Sequence, residues 1–142
     1  VRIHRAKLSG ILIETGSSGP DTWVAAGMGI NVTHAPEGAG QSATSIAALR
    51  GDTIINADMV LDALREAFSA RLVEARAGFA KLRESWLERA EGLGGTIRVT
   101  ASGEPVEGIF EDMDETGALI LRLPDGTRQT IRAGDVDLIG RV

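Results

Sequence analysis

Glycine recurs inside runs of this chain that otherwise read as β-strand, and that pattern limits the fold more than any other. Lys7-Leu8-Ser9-Gly10-Ile11-Leu12-Ile13-Glu14-Thr15 is one such run, and Thr22-Trp23-Val24-Ala25-Ala26-Gly27-Met28-Gly29-Ile30-Asn31-Val32 is another. A glycine in a strand has no side chain to pack, so it marks a bulge or a place where something lies close to the main chain. The chain carries 18 glycines in 142 residues, about one in eight against an average of roughly 7%. Gly16-Ser17-Ser18-Gly19-Pro20-Asp21 reads as the turn between the two runs. Both runs are apolar on both faces in their centres, which predicts a sheet covered on both sides.

The rest of the chain has two further textures. Residues 33–42, rich in Gly and Pro, predict a mobile loop, with a short element over 45–49 after it. Residues 56–91 are helical by pattern. Asn56 is an N-cap with Asp58 in the first turn. Val60, Leu61, Leu64, Phe68 and Leu72 form an apolar stripe at helical spacing. Gly78 predicts a break, Phe79, Leu82 and Trp86 continue a second amphipathic helix, and Gly92 and Gly94 end it. From residue 92 onward the pattern is all β. Short runs at 96–100, 107–111, 118–123, 129–132 and 136–139 are separated by turn residues. Five strands in about 50 residues predict a small barrel. The expected fold class is α+β, with a division into 1–91 and 92–142.

Several chemistries are excluded. Cysteine is absent, so there is no disulfide scaffold, thiolate zinc site or cysteine nucleophile. Two histidines, His4 and His34, leave little for a metal cluster, and no metal ligands are assigned. A net charge of −5 argues against nucleic acid as a partner. No apolar run reaches the ~18 residues of a membrane span. Gly27-Met28-Gly29 lacks the third glycine of a dinucleotide fingerprint and leads towards Pro36 rather than into a helix. No phosphate loop of the Gly-x4-Gly-Lys type occurs, and no nucleophile elbow is present. Asp112-Met113-Asp114 opens like a calcium loop. It then has Thr116 where Asp or Asn is needed and Leu123 where the bidentate Glu should stand, so a solvated hairpin turn is the better reading of 111–115.

What remains is a lysine and a row of small residues. Only two lysines, Lys7 and Lys81, stand against thirteen arginines. Lys81 falls in the helical block, on a solvated face. Lys7 opens a strand and is followed closely by Gly10. An ammonium beside bare backbone suits an anionic ligand. Gly27, Gly29 and Asn31 alternate onto one strand face, a groove with a polar end. The same residues also fit a surface lysine at a strand start with glycines in bulges.

The combination of Lys7-Leu8-Ser9-Gly10-Ile11-Leu12-Ile13-Glu14 with Gly27-Met28-Gly29-Ile30-Asn31 resembles biotin protein ligases. These carry a Lys-x-x-Gly-Ile-Leu-x-Glu strand followed by a Gly-x-Gly-x-Asn strand. The helix pair with Trp86, the 92–95 junction and Gly117-Ala118-Leu119-x-Leu121 extend the resemblance along the chain. The resemblance implies a sheet with helices of the class II aminoacyl-tRNA synthetase and biotin synthetase type, here in part. It also implies an SH3-like barrel over 92–142. It implies adenylation of biotin by ATP, with Mg2+ accompanying the nucleotide and not held by residues identifiable here. Transfer to a lysine of a biotin carboxyl carrier protein in the cytoplasm would follow. Lys7 would be catalytic and touch both biotin and nucleotide. Gly10, Gly27 and Gly29 would floor the biotin site. Ile30, Asn31 and Ala43 would contact the nucleotide, and the 33–42 loop would close over the adenylate. The family's Gly/Arg-rich nucleotide loop and its Trp-Pro-Asn-Asp stretch are expected upstream of Val1. The N-terminal half of the catalytic domain is then a missing partner, and the chain alone is expected to be inactive. A homodimer is left open. The rival readings are a non-catalytic protein-binding module and a relative that attaches lipoate.

Overall fold

The computed structural model describes residues 1–36, 42–51, 54–100 and 103–139. The chain is mixed α and β and divides into two compact units, Val1–Ala67 and Phe68–Val142.

The first unit begins with a two-residue ribbon, β1 (Arg2–Ile3) against β2 (Ala6–Lys7), with Arg2 opposite Lys7 and Ile3 opposite Ala6. The intervening His4 and Arg5 both have positive φ, 49° and 67°. Two positive φ values are what a tight two-residue hairpin turn requires. With side chains at both positions the turn costs roughly 1–2 kcal/mol per residue. Nothing in the sequence marks it, because the usual Asn-Gly pair is absent. The long hairpin follows, β3 (Ser9–Ser18) against β4 (Asp21–Ile30), in unbroken antiparallel register. Lys7 therefore lies in its own short strand, with Leu8 between it and β3, rather than at the start of the Gly10 strand.

The expectation that this sheet is covered on both sides is corrected. Ile11, Ile13 and Val24 lie on one face, and Leu12 and Trp23 on the other. All five are exposed, from 48% at Trp23 to 67% at Leu12. Two strands alone have nothing in the described chain to bury either face against.

After β4 the chain turns into the short helix α1 (Ile46–Arg50). Ser45 caps it by accepting from Ala48 N at 3.2 Å, and Gly51 closes it in the left-handed conformation. The long helix α2 (Ala57–Ala77) starts as predicted, with the Asn56 side chain accepting from Met59 N at 3.0 Å and Asp58 in the first turn. Gly78, at φ 143°, separates α2 from α3 (Phe79–Leu87). Among the described residues no helix is long and apolar enough to cross a membrane.

The second unit holds a five-stranded antiparallel sheet of β5 (Thr96–Thr100), β6 (Val106–Met113), β7 (Leu119–Arg122), β8 (Arg128–Ile131) and β9 (Asp135–Leu138). The order is β8-β7-β6-β5-β9, so the last strand returns to pair with the first of the five. β6 bends at a register shift between Phe110 and Asp112. Among the described residues the hydrogen-bonded ladder leaves β8 and β9 as edges, so it does not close into a full barrel.

Ile97, Val99, Phe110 and Leu121 are the buried centre, with Leu87, Leu119, Ile131 and Leu138 packed around them. From α3, Trp86 meets Phe110 with ring centroids 6.1 Å apart. The Arg83 guanidinium reaches both carboxylate oxygens of Asp112 at 2.6 Å and the Met113 carbonyl. The acidic run 111–115 is thus more structured than a solvated turn. Glu111 pairs with Arg128, whose hydrogen bond holds the Glu111 carboxyl below its ordinary pKa. The Asp114 side chain accepts from the Thr116 hydroxyl and from the Thr116 and Ala118 amides, and those bonds likewise hold its pKa down.

Candidate functional site

The register of the long hairpin builds the floor of the site. Gly10 pairs with Gly29, and Leu12 with Gly27. Residues directly opposite in an antiparallel pair project to the same face, so Gly10, Gly27 and Gly29 form one patch of bare main chain. A Cβ added at Gly10 or Gly29 would meet nothing within 4 Å, and one at Gly27 would reach only Leu12, at 3.8 Å and beyond. These glycines are therefore not required by packing within the described chain, and the space above them is open. Leu12, opposite Gly27, and then Glu14 project from the same face, and beyond them the Trp23 ring lies against Gly16.

The polar end of this floor is a clasp of three segments. Lys7 forms a parallel bridge with Ala43. The Lys7 amide donates to the Ser42 carbonyl at 2.8 Å, and the Thr44 amide donates to the Lys7 carbonyl at 3.0 Å. Asn31 ties the segments together. Its Nδ2 donates to the Thr44 carbonyl at 2.9 Å and to the Lys7 carbonyl at 3.3 Å, while its backbone amide donates to the Leu8 carbonyl. The first amides of α1 complete the arrangement, Ile46 donating to the Asn31 carbonyl and Ala47 to the Val32 carbonyl, both at 2.9 Å. Ser45, only 2% exposed, donates from its hydroxyl to the Thr33 carbonyl at 3.2 Å.

Of the residues singled out in the sequence, Lys7, Asn31 and Ala43 are brought together here, next to Gly10 and Gly29. Ile30 is not on this face. It pairs with Ser9, and strand alternation sends it to the other side of the hairpin. The Asn31 amide group is committed to holding Lys7 and Thr44 in place. This internal role was not visible in the sequence, because its partners lie 24 and 13 residues away. Thr44 and Ser45 were also missed as members of the clasp. The only available signal was Ser45 standing before an apolar stretch, as helix caps do. Lys7 is exposed, and its ammonium has no ion pair among the described residues. Of the expected covering loop, residues 37–41 lie outside the described residues, whereas His34 accompanies Thr33 with Nδ1 and Oγ1 2.9 Å apart.

Three acidic or histidine side chains grouped as metal ligands are not found among the described residues.

Residues 92–139 match the family model of the biotin protein ligase C-terminal domain. A biotin–acetyl-CoA-carboxylase ligase of Paracoccus denitrificans is 38% identical over 142 residues, covering 96% of this chain and 59% of the relative. A ligase of the same name from Mycobacterium tuberculosis (strain ATCC 25618 / H37Rv) is 33% identical, covering 92% of this chain and 47% of the relative. Among solved structures, the apo biotin protein ligase of Aquifex aeolicus superposes with a TM-score of 0.80 at 22% identity, over 98% of this chain and 61% of that one. The same enzyme in complex with biotin and ATP gives a TM-score of 0.73 at 21% identity, over 98% and 58%. The chain thus spans about half to three-fifths of the length of these relatives. In sequence and in fold it is biotin-protein-ligase-like along nearly its whole length, with that family's C-terminal domain at residues 92–139.

Proposed function

We propose that this chain supplies the biotin floor and the catalytic, charge-offsetting lysine of an ATP-dependent biotin protein ligase, and that residues 92–142 form its C-terminal SH3-like barrel. The observation that carries this is the placement of Gly10 opposite Gly29, with the main chain of Lys7 and Ala43 clasped together with Asn31 at the end of the same hairpin. A flat bicyclic ligand needs a surface without side chains. An anhydride-forming reaction needs a cation where the carboxylate meets the phosphate.

In the reaction, a biotin carboxylate oxygen attacks the α-phosphorus of ATP, and the bond to pyrophosphate breaks. The resulting biotinyl-adenylate is a mixed anhydride. The ε-amine of a lysine on a biotin carboxyl carrier protein then attacks its carbonyl carbon, and AMP leaves. Lys7 offsets the charge that builds up in the first step, a contribution on the order of 3 kcal/mol in a water-excluded site. Asn31 acts mainly by fixing the Lys7 and Thr44 carbonyls, with Oδ1 left for the nucleotide. Ala43 lies against the adenylate, and the 33–42 loop shields it from water. Ile30 supports the hairpin from its other face rather than touching the nucleotide.

The exposed apolar faces of β3 and β4 are covered, in this reading, by the N-terminal part of the catalytic domain, with the catalytic part of this chain running to residue 91. That part carries the remaining phosphate-binding charge, and the complete enzyme works in the cytoplasm. The chain alone therefore does not turn over. Titration calorimetry with biotin, lipoate and biotinyl-adenylate tests the ligand class, with biotin and its adenylate expected to bind ahead of lipoate. Lys7→Ala in the complete enzyme is expected to lower adenylate formation by at least a hundredfold with the fold intact. Unchanged adenylate formation removes Lys7 from the mechanism. Efficient biotinylation of a carrier domain by the 142-residue chain would show that no other part is needed.

A further inference from the structure

Among its described residues the first unit buries no apolar side chain, and the one residue it does bury is Ser45. A hydroxyl taken out of water is expected to have its hydrogen bonds made. Here both directions are used. Ser45 Oγ accepts from the Ala48 amide at 3.2 Å, which is all that a helix cap requires. It also donates to the Thr33 carbonyl at 3.2 Å. A carboxylate would cap α1 equally well but could not make the second bond. Capping alone therefore does not account for this residue.

The second bond completes a row. The carbonyls of Asn31, Val32 and Thr33 are taken in turn by the Ile46 amide, the Ala47 amide and the Ser45 hydroxyl. Immediately before Ser45, Thr44 donates its amide to the Lys7 carbonyl and accepts the Asn31 side chain on its own carbonyl. The same Asn31 side chain reaches the Lys7 carbonyl at 3.3 Å. Ser45 thus ties the segment that leaves β4 to the segment that holds Lys7. No buried apolar contact among the described residues fixes the distance between these segments, so the hydrogen bonds do.

We propose that Ser45 is a positioning residue for adenylate formation. Through Thr44 and Asn31 it sets the place of the Lys7 main chain, and so the point from which the ammonium reaches the reacting carboxylate and phosphate. This rests on the ligase reading above and adds to it a residue that acts only through others.

The test is biotin-dependent exchange of pyrophosphate into ATP by the complete enzyme, run well below its melting midpoint. Ser45→Ala is expected to lower kcat about tenfold, the scale of loss that a sub-ångström misplacement of a reacting group produces. KM for biotin should change by less than about twofold, because the glycine floor is set by the hairpin register and not by this bond. Ser45→Thr, which can make both bonds, should recover most of the loss. Asn56→Ala is the control. It removes the cap of α2, which accepts from the Met59 amide, and should lower the melting midpoint as a lost cap does while leaving kcat unchanged. In a Lys7→Ala background Ser45→Ala should lower kcat by no more than about twofold, since residues that act on one step are not additive. If Ser45→Ala melts too early to assay, Ser45→Gly takes its place, because glycine caps nearly as well as serine and cannot donate. A parent-like kcat in that variant overturns the proposal and leaves Ser45 an ordinary cap. Equal losses of kcat in Ser45→Ala and Asn56→Ala also overturn it, because they show only general loosening. A full further loss on top of Lys7→Ala overturns the route through Lys7. A parent enzyme with no exchange activity removes the ligase reading and this proposal together, whereas an active parent with an unaffected Ser45→Ala removes this proposal alone.

Discussion

The long hairpin and the five-stranded sheet are both antiparallel β-structure rich in Ile, Leu and Val, yet they differ in what they bury. In the sheet, Ile97 and Leu121 are fully buried and Val99 is 1% exposed. In the hairpin, Leu12 and Val24 are 67% and 65% exposed. The reason is layering. A β-sheet becomes a stable unit when one of its faces is pressed against another layer. The five strands curve around their own centre and receive Leu87 and Trp86 from the preceding helix. The hairpin has two strands, both faces open, and a floor of glycines that contributes no packing at all. One region buries its apolar side chains within the described residues, and the other leaves them exposed.

Three measurements break or sharpen this contrast. The largest effect is expected from paired leucine truncations. Leu121→Ala should cost about 2–5 kcal/mol in urea unfolding, the usual range for a fully buried leucine. Leu12→Ala should stay within about 0.5 kcal/mol, as exposed positions do. Comparable losses at the two positions would mean that the hairpin is covered in the protein as studied. A second pair compares glycines. At Gly108 a Cβ would come within 2.9 Å of the Arg122 carbonyl oxygen across the β6–β7 ladder, so Gly108→Ala should cost roughly 1–3 kcal/mol. Gly29→Ala meets open space and should be neutral or stabilising by up to about 1 kcal/mol through the unfolded chain. If that substitution also leaves biotin binding unchanged, Gly29 is not part of the floor.

The smallest effect concerns acid. The Asp114 carboxyl is held below its ordinary 3.8 by the Thr116 hydroxyl and the Ala118 amide, and Asp125 is held down in the same way by Thr127. A carboxyl with a lowered folded-state pKa adds stability above its unfolded value, and that stability is lost as pH falls through the folded value. Denaturation of the sheet unit should therefore become easier as pH drops below about 4, and Asp114→Asn should flatten that dependence. Asp125 is exposed and Asp114 no more than half-buried, so the change should be modest. An Asp114→Asn variant with the parent's full acid dependence would assign the sensitivity elsewhere.

Most of the secondary structure was legible from spacing alone. The cap at Asn56, the break at Gly78 and the five short strands follow from local preferences that act within a few residues. The ribbon turn at His4 and Arg5 was not legible, since it uses residues that no turn preference selects. The exposure of both hairpin faces was hidden for a different reason. An apolar run reports that burial is favourable, but it does not say which polypeptide provides the cover.

For the site, the pattern of residues was enough to single out Lys7, the paired glycines and Asn31, because strand alternation converts spacing directly into a shared face. Only the tertiary structure decided that Gly10 falls opposite Gly29, whereas the place of Ile30 on the other face already follows from alternation. Register depends on how the hairpin closes, and a shift of one residue would have exchanged the two faces. It also decided that the Asn31 amide clasps the Lys7 and Thr44 carbonyls. Hydrogen bonds of that kind join segments distant in the chain, and no local preference encodes them.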